Sequence, residues 1–312
     1  MKRFILTTII LTAAIILGSA QPAFANFRYL YGTITIEEAP ANNPPSAGSV
    51  VLTDASDVAP ISLVEADVKQ VKCTATVTDA DTCEEITGVE VVIYRTGLSA
   101  TCAQDKANCY NSTWISCTQD TGSCTGPSDT DATYTCNISA DGGSGLIFYA
   151  DGTDADSAYP DDDWSCYVLP SDEETGTPDT GTAEVSSLLA LDVQTPTFSY
   201  GTLMPSTNTG STNQTVTIRN TGNSTLDIDL YGTEMSCGGR SIPASNQKFS
   251  MSAFAYPYGG TQLSGDSGSP SHMEYDLVKG LSSTKDNYWG LATPAMPAAT
   301  CSGTITFVAR TN

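Results

Sequence analysis

Residues 215–233, TVTIRNTGNSTLDIDLYGT, decide the fold. Val216 and Ile218 point one way, and Thr215, Thr217 and Arg219 point the other. Asn220-Thr221-Gly222-Asn223 then supplies residues that tolerate positive φ. Beyond this turn Leu226, Ile228 and Leu230 alternate with Asp227, Asp229 and Tyr231. Period-two alternation buries one face and wets the other, as in the antiparallel strands of a sandwich. Nothing in the stretch carries chemistry.

The same texture extends outward. Residues 68–77, 89–95, 131–136, 146–150 and 164–169 read as strands, and Leu188, Leu189, Leu191 and Val193 as a first buried run of a second domain. The prediction is an all-β chain of two Ig-like antiparallel β-sandwich domains. Ten cysteines, an even number, read as disulfides. Eight fall between Cys73 and Cys166, and two, Cys237 and Cys301, lie in the second half, which separates the domains. We place a signal peptide at 1–25, an N-terminal strand and Pro-rich linker at 26–47, and a disulfide-rich sandwich at 48–170. An acidic Thr/Gly/Pro linker follows at 171–184, and a second sandwich at 185–312.

The leader rests on Lys2 and Arg3, an apolar core over residues 4–17, and the small-x-small site Ala23-Phe24-Ala25. No second long apolar stretch follows, so direct membrane insertion is not expected once the leader is removed. Removal takes away two bases and no acids. It leaves 11 basic against 35 acidic residues, a formal charge of −24. That balance excludes nucleic acid, whose phosphates need Lys and Arg, and disfavours anionic membrane surfaces. It suits a soluble protein outside the cell. The run 26–37 (NFRYLYGTITIE) is strand-like and is followed by a Pro-rich linker; the first reading makes it an opening strand of the nearest sandwich, and a sharper one makes it a donor strand that adds to a neighbouring subunit.

Asp131-Ala132-Thr133-Tyr134-Thr135-Cys136 resembles the immunoglobulin tyrosine corner, with Tyr two residues before Cys. The core Trp expected on the strand after the first Cys is missing; Val92, Ile93 and Tyr94 stand there. In the second half Tyr200-Gly201-Thr202-Leu203, residues 215–218, the Asn220–Asn223 turn and Leu226-Asp227-Ile228 resemble a sandwich domain of exported prokaryotic surface and S-layer-associated proteins. A similar signature occurs in sandwich repeats of ciliary and spindle-associated proteins. Residues 288–294 and 303–307 resemble the closing strands of secreted versions. The resemblance implies an Ig-like sandwich in an exported structural or adhesive protein, and it brings no catalytic residues.

Cys237 and Cys301 should pair, being alone in their domain. Cys73 sits on an early strand, with Cys136 or Cys166 as its partner. Cys102, Cys109, Cys117 and Cys124 lie in a polar segment and are expected to form local bridges. Zinc is disfavoured by the lack of C-x-x-C and of a nearby His.

Candidate chemistry is thin. Gly265-Asp266-Ser267-Gly268-Ser269-Pro270 imitates a serine-protease motif, but the only His, His272, is five residues from Ser267, too close to act as its base. We expect no enzyme and no cofactor; a secreted hydrolase is the remote alternative. Calcium is the exception. Asp79 and Asp81 flank a strand end, and Asp151, Asp154 and Asp156 fill one loop, offering the hard oxygens that calcium takes. Phe254, Tyr256 and Tyr258 could form a stacking surface for glycan. Asn111, Asn137, Asn213 and Asn223 head glycosylation sequons. The sequence therefore points to a secreted or cell-surface structural or adhesive protein. Its partners would be other surface proteins or further copies of itself, with a glycan- or calcium-binding module as the alternative.

Overall fold

The structure is a computed structural model that describes residues 42–139 and 145–312. The expected leader and the run 26–37 lie outside the described residues. Pro44–Asn312 form one compact unit, and all that follows concerns it.

The first sandwich contains β1 (Ser46–Asp54), β2 (Val68–Lys69), β3 (Val71–Thr78), β4 (Gly88–Arg95), β5 (Cys109–Tyr110), β6 (Ile115–Gln119), β7 (Asp131–Ile138), β8 (Leu146–Ile147), β9 (Trp164–Ser171) and β10 (Asp179–Ala183). One sheet runs β1-β3-β7-β6 and the other β10-β9-β4-β5. Their ladders are antiparallel. In chain order these strands are A, B, E and D against G, F, C and C′, the arrangement of an Ig-like sandwich. The period-two pattern explains the core. On β3, Val71, Cys73, Ala75 and Val77 turn inward; Val91, Ile93, Trp164, Cys166 and Val168 of the opposite sheet share the main core with the first three, while Val77 packs with Cys83, Ala132 and Tyr134.

Three expectations are corrected here. Residues 171–184 are not a free linker, because β10 pairs with β9 along its whole length. The segment lacks apolar residues because it is an edge strand. Gly181 lets it lie against β1, where an added Cβ would meet the Val50 carbonyl oxygen at 2.1 Å. The Tyr corner is not at Tyr134. Its neighbour Cys136 bonds Cys117 on the adjacent strand β6, whereas the disulfide between the sheets joins Cys73 on β3 to Cys166 on β9. Two residues before Cys166 stands Trp164, fully buried, its indole N–H donating to the Asp151 carbonyl at 2.7 Å. Cys117 and Cys124 also leave the expected local set. Cys124 pairs with Cys83, and only Cys102–Cys109 closes a short loop.

The second sandwich contains β11 (Leu191–Val193), β12 (Gln214–Asn220), β13 (Leu226–Gly232), β14 (Met235–Ser236), β15 (Ser241–Ile242), β16 (Gln247–Ser250), β17 (Thr261–Gln262), β18 (Ser271–Leu277), β19 (Thr284–Leu291) and β20 (Ile305–Thr311). Its sheets run β11-β12-β19-β16-β17 and β18-β13-β20. Trp289 on β19 is the centre of the core, with Phe249 at 5.4 Å and Phe198 and Phe307 each at 6.0 Å between ring centroids. Cys237 and Cys301 are joined. Among the described cysteines none is free, and five disulfides in one chain fit an oxidising environment.

The turn that opened the sequence reading is not an exposed tip. Asn220 is 0% and Asn223 6% exposed. The turn packs on the strap that joins the two sandwiches. Asn223 Oδ1 accepts from Leu188 N at 2.6 Å, and Thr221 Oγ1 donates to Glu65 at 2.8 Å. Lys279 of the second sandwich also forms an ion pair with Asp151 of the first.

Candidate functional site

The two sandwiches share a strand plan, and their difference defines the site. In both, a four-strand series (β1-β3-β7-β6 and β11-β12-β19-β16) faces a sheet built on a central pair, β4 with β9 and β13 with β20. In the first sandwich β10 covers the outer edge of β9 and reaches β1, where Ala47 N donates to Thr177 O at 2.9 Å and Thr177 N to Pro45 O at 2.8 Å. In the second, β13 is the only strand paired with β20 among the described residues. The other sheet's edge, β11, is three residues long.

Between these two edges lies a cleft of about 840 Å³. Val193 from β11 and Ile305 and Phe307 from β20 line it, with Val216 and Leu291 contributed by the core. Its rims are irregular: Phe198, Tyr200 and Leu203 on one side, Met296 and Cys301 on the other. The inward side chains of β20, Ile305, Phe307 and Ala309, are only half-buried, unlike the equivalent Cys166 and Val168 of β9. Burial pushes the Tyr200 phenol above its ordinary pKa, and its hydroxyl hydrogen bonds Gln247 Oε1 at 3.2 Å. The cleft therefore has an apolar floor of Val193, Val216, Leu291, Ile305 and Phe307 among Thr and Ser side chains, and it is bounded by a strand edge that no other strand pairs among the described residues. Such an edge can accept the backbone of an extended chain.

The residues singled out in the sequence are scattered by comparison. Asp151, Asp154 and Asp156 do not form a cation site. Buried Asp151 is paired with Arg95 at 2.8 Å and with Lys279, Asp154 accepts from Ser187 N, and Asp156 is exposed. Asp79 and Asp81 do come together, joined by Glu85 from the following 3-10 turn, Cys83–Glu85. Glu85 was not singled out in the sequence, since its part depends on how that turn folds back. Phe254, Tyr256 and Tyr258 do not form a flat platform. Phe254 lies in contact range of Gly259, Gly260 and Gly290, and Tyr256 donates to Asn246 O at 3.3 Å beneath Lys248, leaving Tyr258 alone exposed at 94%.

Of the sequons, Asn137 is exposed. Asn111 is half-buried and accepts from Gln104 at 2.6 Å, and half-buried Asn213 accepts from Phe254 N at 2.8 Å. Asn223 is buried with both amide atoms in use, so its sequon does not offer the side chain to a glycan. Ser267 is in an exposed turn, and His272 bonds Asp229 at 2.9 Å and Arg310 at 2.8 Å, so no catalytic pair forms between them. A carboxylate cluster of Asp227, His272 and Glu274 includes that same His, already engaged by the Arg310 cation. No helix among the described residues is long and apolar enough to cross a membrane.

No family model matches the chain, and no curated protein matches it. Among solved structures it is similar to a titin A168–A169 fragment, at 10% identity and TM-score 0.30 over 86% of this chain and 96% of that one. It is also similar to the C-terminal domain of the Streptococcus agalactiae AgI/II polypeptide BspA, at 13% identity and TM-score 0.23 with the same coverages. The class, a tandem of two Ig-like sandwiches, rests on strand order and not on these likenesses.

Proposed function

We propose that this chain is an exported structural protein that assembles by strand addition, with no chemical turnover. The observation that carries the reading is the open cleft between β11 and β20, at the place where β10 completes the first sandwich. The proposed occupant is the run 26–37 of a second copy. In NFRYLYGTITIE, Leu30, Gly32, Ile34 and Ile36 fall on one face of an extended strand, and Phe27, Tyr29, Tyr31, Thr33 and Thr35 on the other. Ladder hydrogen bonds to β20 would give affinity, and the apolar face would cover Phe307 and Ile305. The donor run precedes the first sandwich and the acceptor cleft lies in the second. The contact is thus head-to-tail, which yields rings or open filaments according to whether the rotation closes. The ten paired cysteines and the acidic surface support a role outside the cell.

The experiment compares the mature chain with one lacking residues 26–37, by analytical ultracentrifugation and electron microscopy. The full chain should form concentration-dependent oligomers, and the shortened chain should stay monomeric and folded. A synthetic 26–37 peptide should bind the shortened chain, and one carrying Ile34→Asp and Ile36→Asp should not. Oligomers that survive the deletion, or a peptide that fails to bind, would overturn the proposal.

A further inference from the structure

The loop that follows β3 carries a carboxylate whose fold partners satisfy only one of its oxygens. Asp79 is 0% exposed. Its Oδ1 accepts from Asp81 N at 2.9 Å and Thr82 N at 3.4 Å. Its Oδ2 is buried without a hydrogen-bond partner. An ionised carboxylate taken out of water is costly unless a cation or a metal compensates it. The basic side chains of the first sandwich are committed elsewhere. Lys69 pairs with Asp54, Lys72 with Asp57, and Arg95 with Asp151 and Asp162, while Lys106 lies over the Trp114 ring. What stands beside Asp79 is more acid: oxygens of Asp79, Asp81 and Glu85 lie within 4.8 Å of one another.

We propose that Asp79, Asp81 and Glu85 hold a calcium ion. Three carboxylates from one short loop are a hard, all-oxygen donor set, which favours calcium over zinc, a metal that takes N and S ligands. Asp81 is half-buried and Glu85 exposed, so the outer side is open for the waters that complete six to eight ligands. Magnesium asks for near-ideal octahedral geometry at shorter distances and suits this irregular turn less well. The loop is also held in place before an ion arrives. Cys83 is bonded to Cys124, Cys83 N donates to Asp129 O at 2.8 Å, and Asp79 N donates to Thr130 O at 2.8 Å. The ion would neutralise a charge that the fold itself leaves uncompensated. This site is independent of the cleft, which lies in the other sandwich.

The test uses the whole mature chain with its disulfides intact. Its melting temperature is followed in chelator, in millimolar calcium and in millimolar magnesium, with calorimetric titration of calcium alongside. Calcium should raise the melting temperature by about 3 °C or more, as expected for a ligand well above its dissociation constant, and magnesium should do less. Asp81→Asn combined with Glu85→Gln alters only the more exposed ligands. That variant should fold normally in chelator and lose both the heat and the shift. Asp79→Asn should also lose the calcium response, while melting in chelator no lower than the parent because it removes the buried charge. Absence of heat and shift in the parent would overturn the site. So would a calcium shift that the double variant retains, which would trace the effect to the acidic surface at large.

Discussion

Asn223 Oδ1 accepts a hydrogen bond from the backbone N–H of Leu188 at 2.6 Å, and Nδ2 of the same side chain donates to the Ser186 carbonyl at 3.2 Å. One amide thus fastens the β12–β13 turn to the strap between the sandwiches. Asn223→Ala should cost about 1–3 kcal/mol, since it strands a donor and an acceptor in a buried site. Asn223→Asp should cost more, because an acceptor would then face the Ser186 carbonyl. Urea unfolding of the variants checks both; an unchanged midpoint would mean that this contact contributes nothing.

Gly222 in the same turn allows the close approach. A Cβ at that position would lie 2.0 Å from the Leu188 carbonyl oxygen, nearer than any real contact. The clash is with backbone, which cannot swing aside as a long side chain would. Gly222→Ala should destabilise by more than the Asn223→Ala loss, by forcing the strap away from the turn. Amide hydrogen exchange at Leu188 and Ala190 would report the displacement directly.

These contacts show how far the sequence could be read. Alternation in residues 215–218 and 226–230 is a property of each strand alone, and both strands form where it places them. The turn between them was legible as a turn but not as a buried one. Small polar residues serve equally at a wet tip and at a tight contact, and only the partner segment decides. β10 was missed for a related reason. It is an edge strand rich in Thr, Asp and Gly, and its pairing comes from β9 and not from its own apolar face. The cleft had no local signal at all. It arises from a strand missing at one edge of a sheet, a relation among Val193, Ile305 and Phe307 that lie far apart in sequence. Asp79 and Asp81 were visible as neighbours. Glu85 joins them only because a 3-10 turn brings it back, and Asp151 was lost as a ligand because Arg95 and Lys279 already hold it.

Asp151 itself is a second fastening between the sandwiches. Its side chain is 4% exposed and touches Arg95 from its own sandwich and Lys279 from the other. Removing one member of a buried ionic group leaves its partners uncompensated, at about 3–5 kcal/mol. Asp151→Ala should therefore destabilise by about that amount and loosen both sandwiches. Lys279→Met should cost less, because Arg95 still pairs with the carboxylate. Chemical denaturation of both variants gives the order, and a larger loss for Lys279→Met would contradict it.

The five disulfides should differ in worth according to the chain they close. Cys73–Cys166 spans 93 residues and Cys102–Cys109 spans 7. In the chain-entropy account the first contributes about 4.6 kcal/mol and the second about 2.4 kcal/mol. Replacing the Cys73–Cys166 pair by alanines should thus be the more damaging, doubly so because both sulfurs lie in the core. Paired thermal melts measure the difference.

The alkaline limit of stability should be set by buried phenols. Burial pushes the Tyr275 hydroxyl up to about 12, against an ordinary tyrosine near 10. Burial also raises Tyr110 and Tyr200. Tyr275 is fully enclosed; its hydroxyl donates to the Lys285 carbonyl at 2.5 Å and receives a bond from Asn287 Nδ2 at 3.2 Å. Because the fold holds this proton more tightly than the unfolded chain does, the stability it contributes is intact below about pH 10 and is lost as pH rises toward 12. Phenolate absorbance should accordingly show a group of tyrosines that ionise only with unfolding. Tyr275→Phe should make the fall of stability with pH shallower by about one proton's worth, or about 1.4 kcal/mol per pH unit. An unaltered slope would assign the alkaline limb to the other phenols.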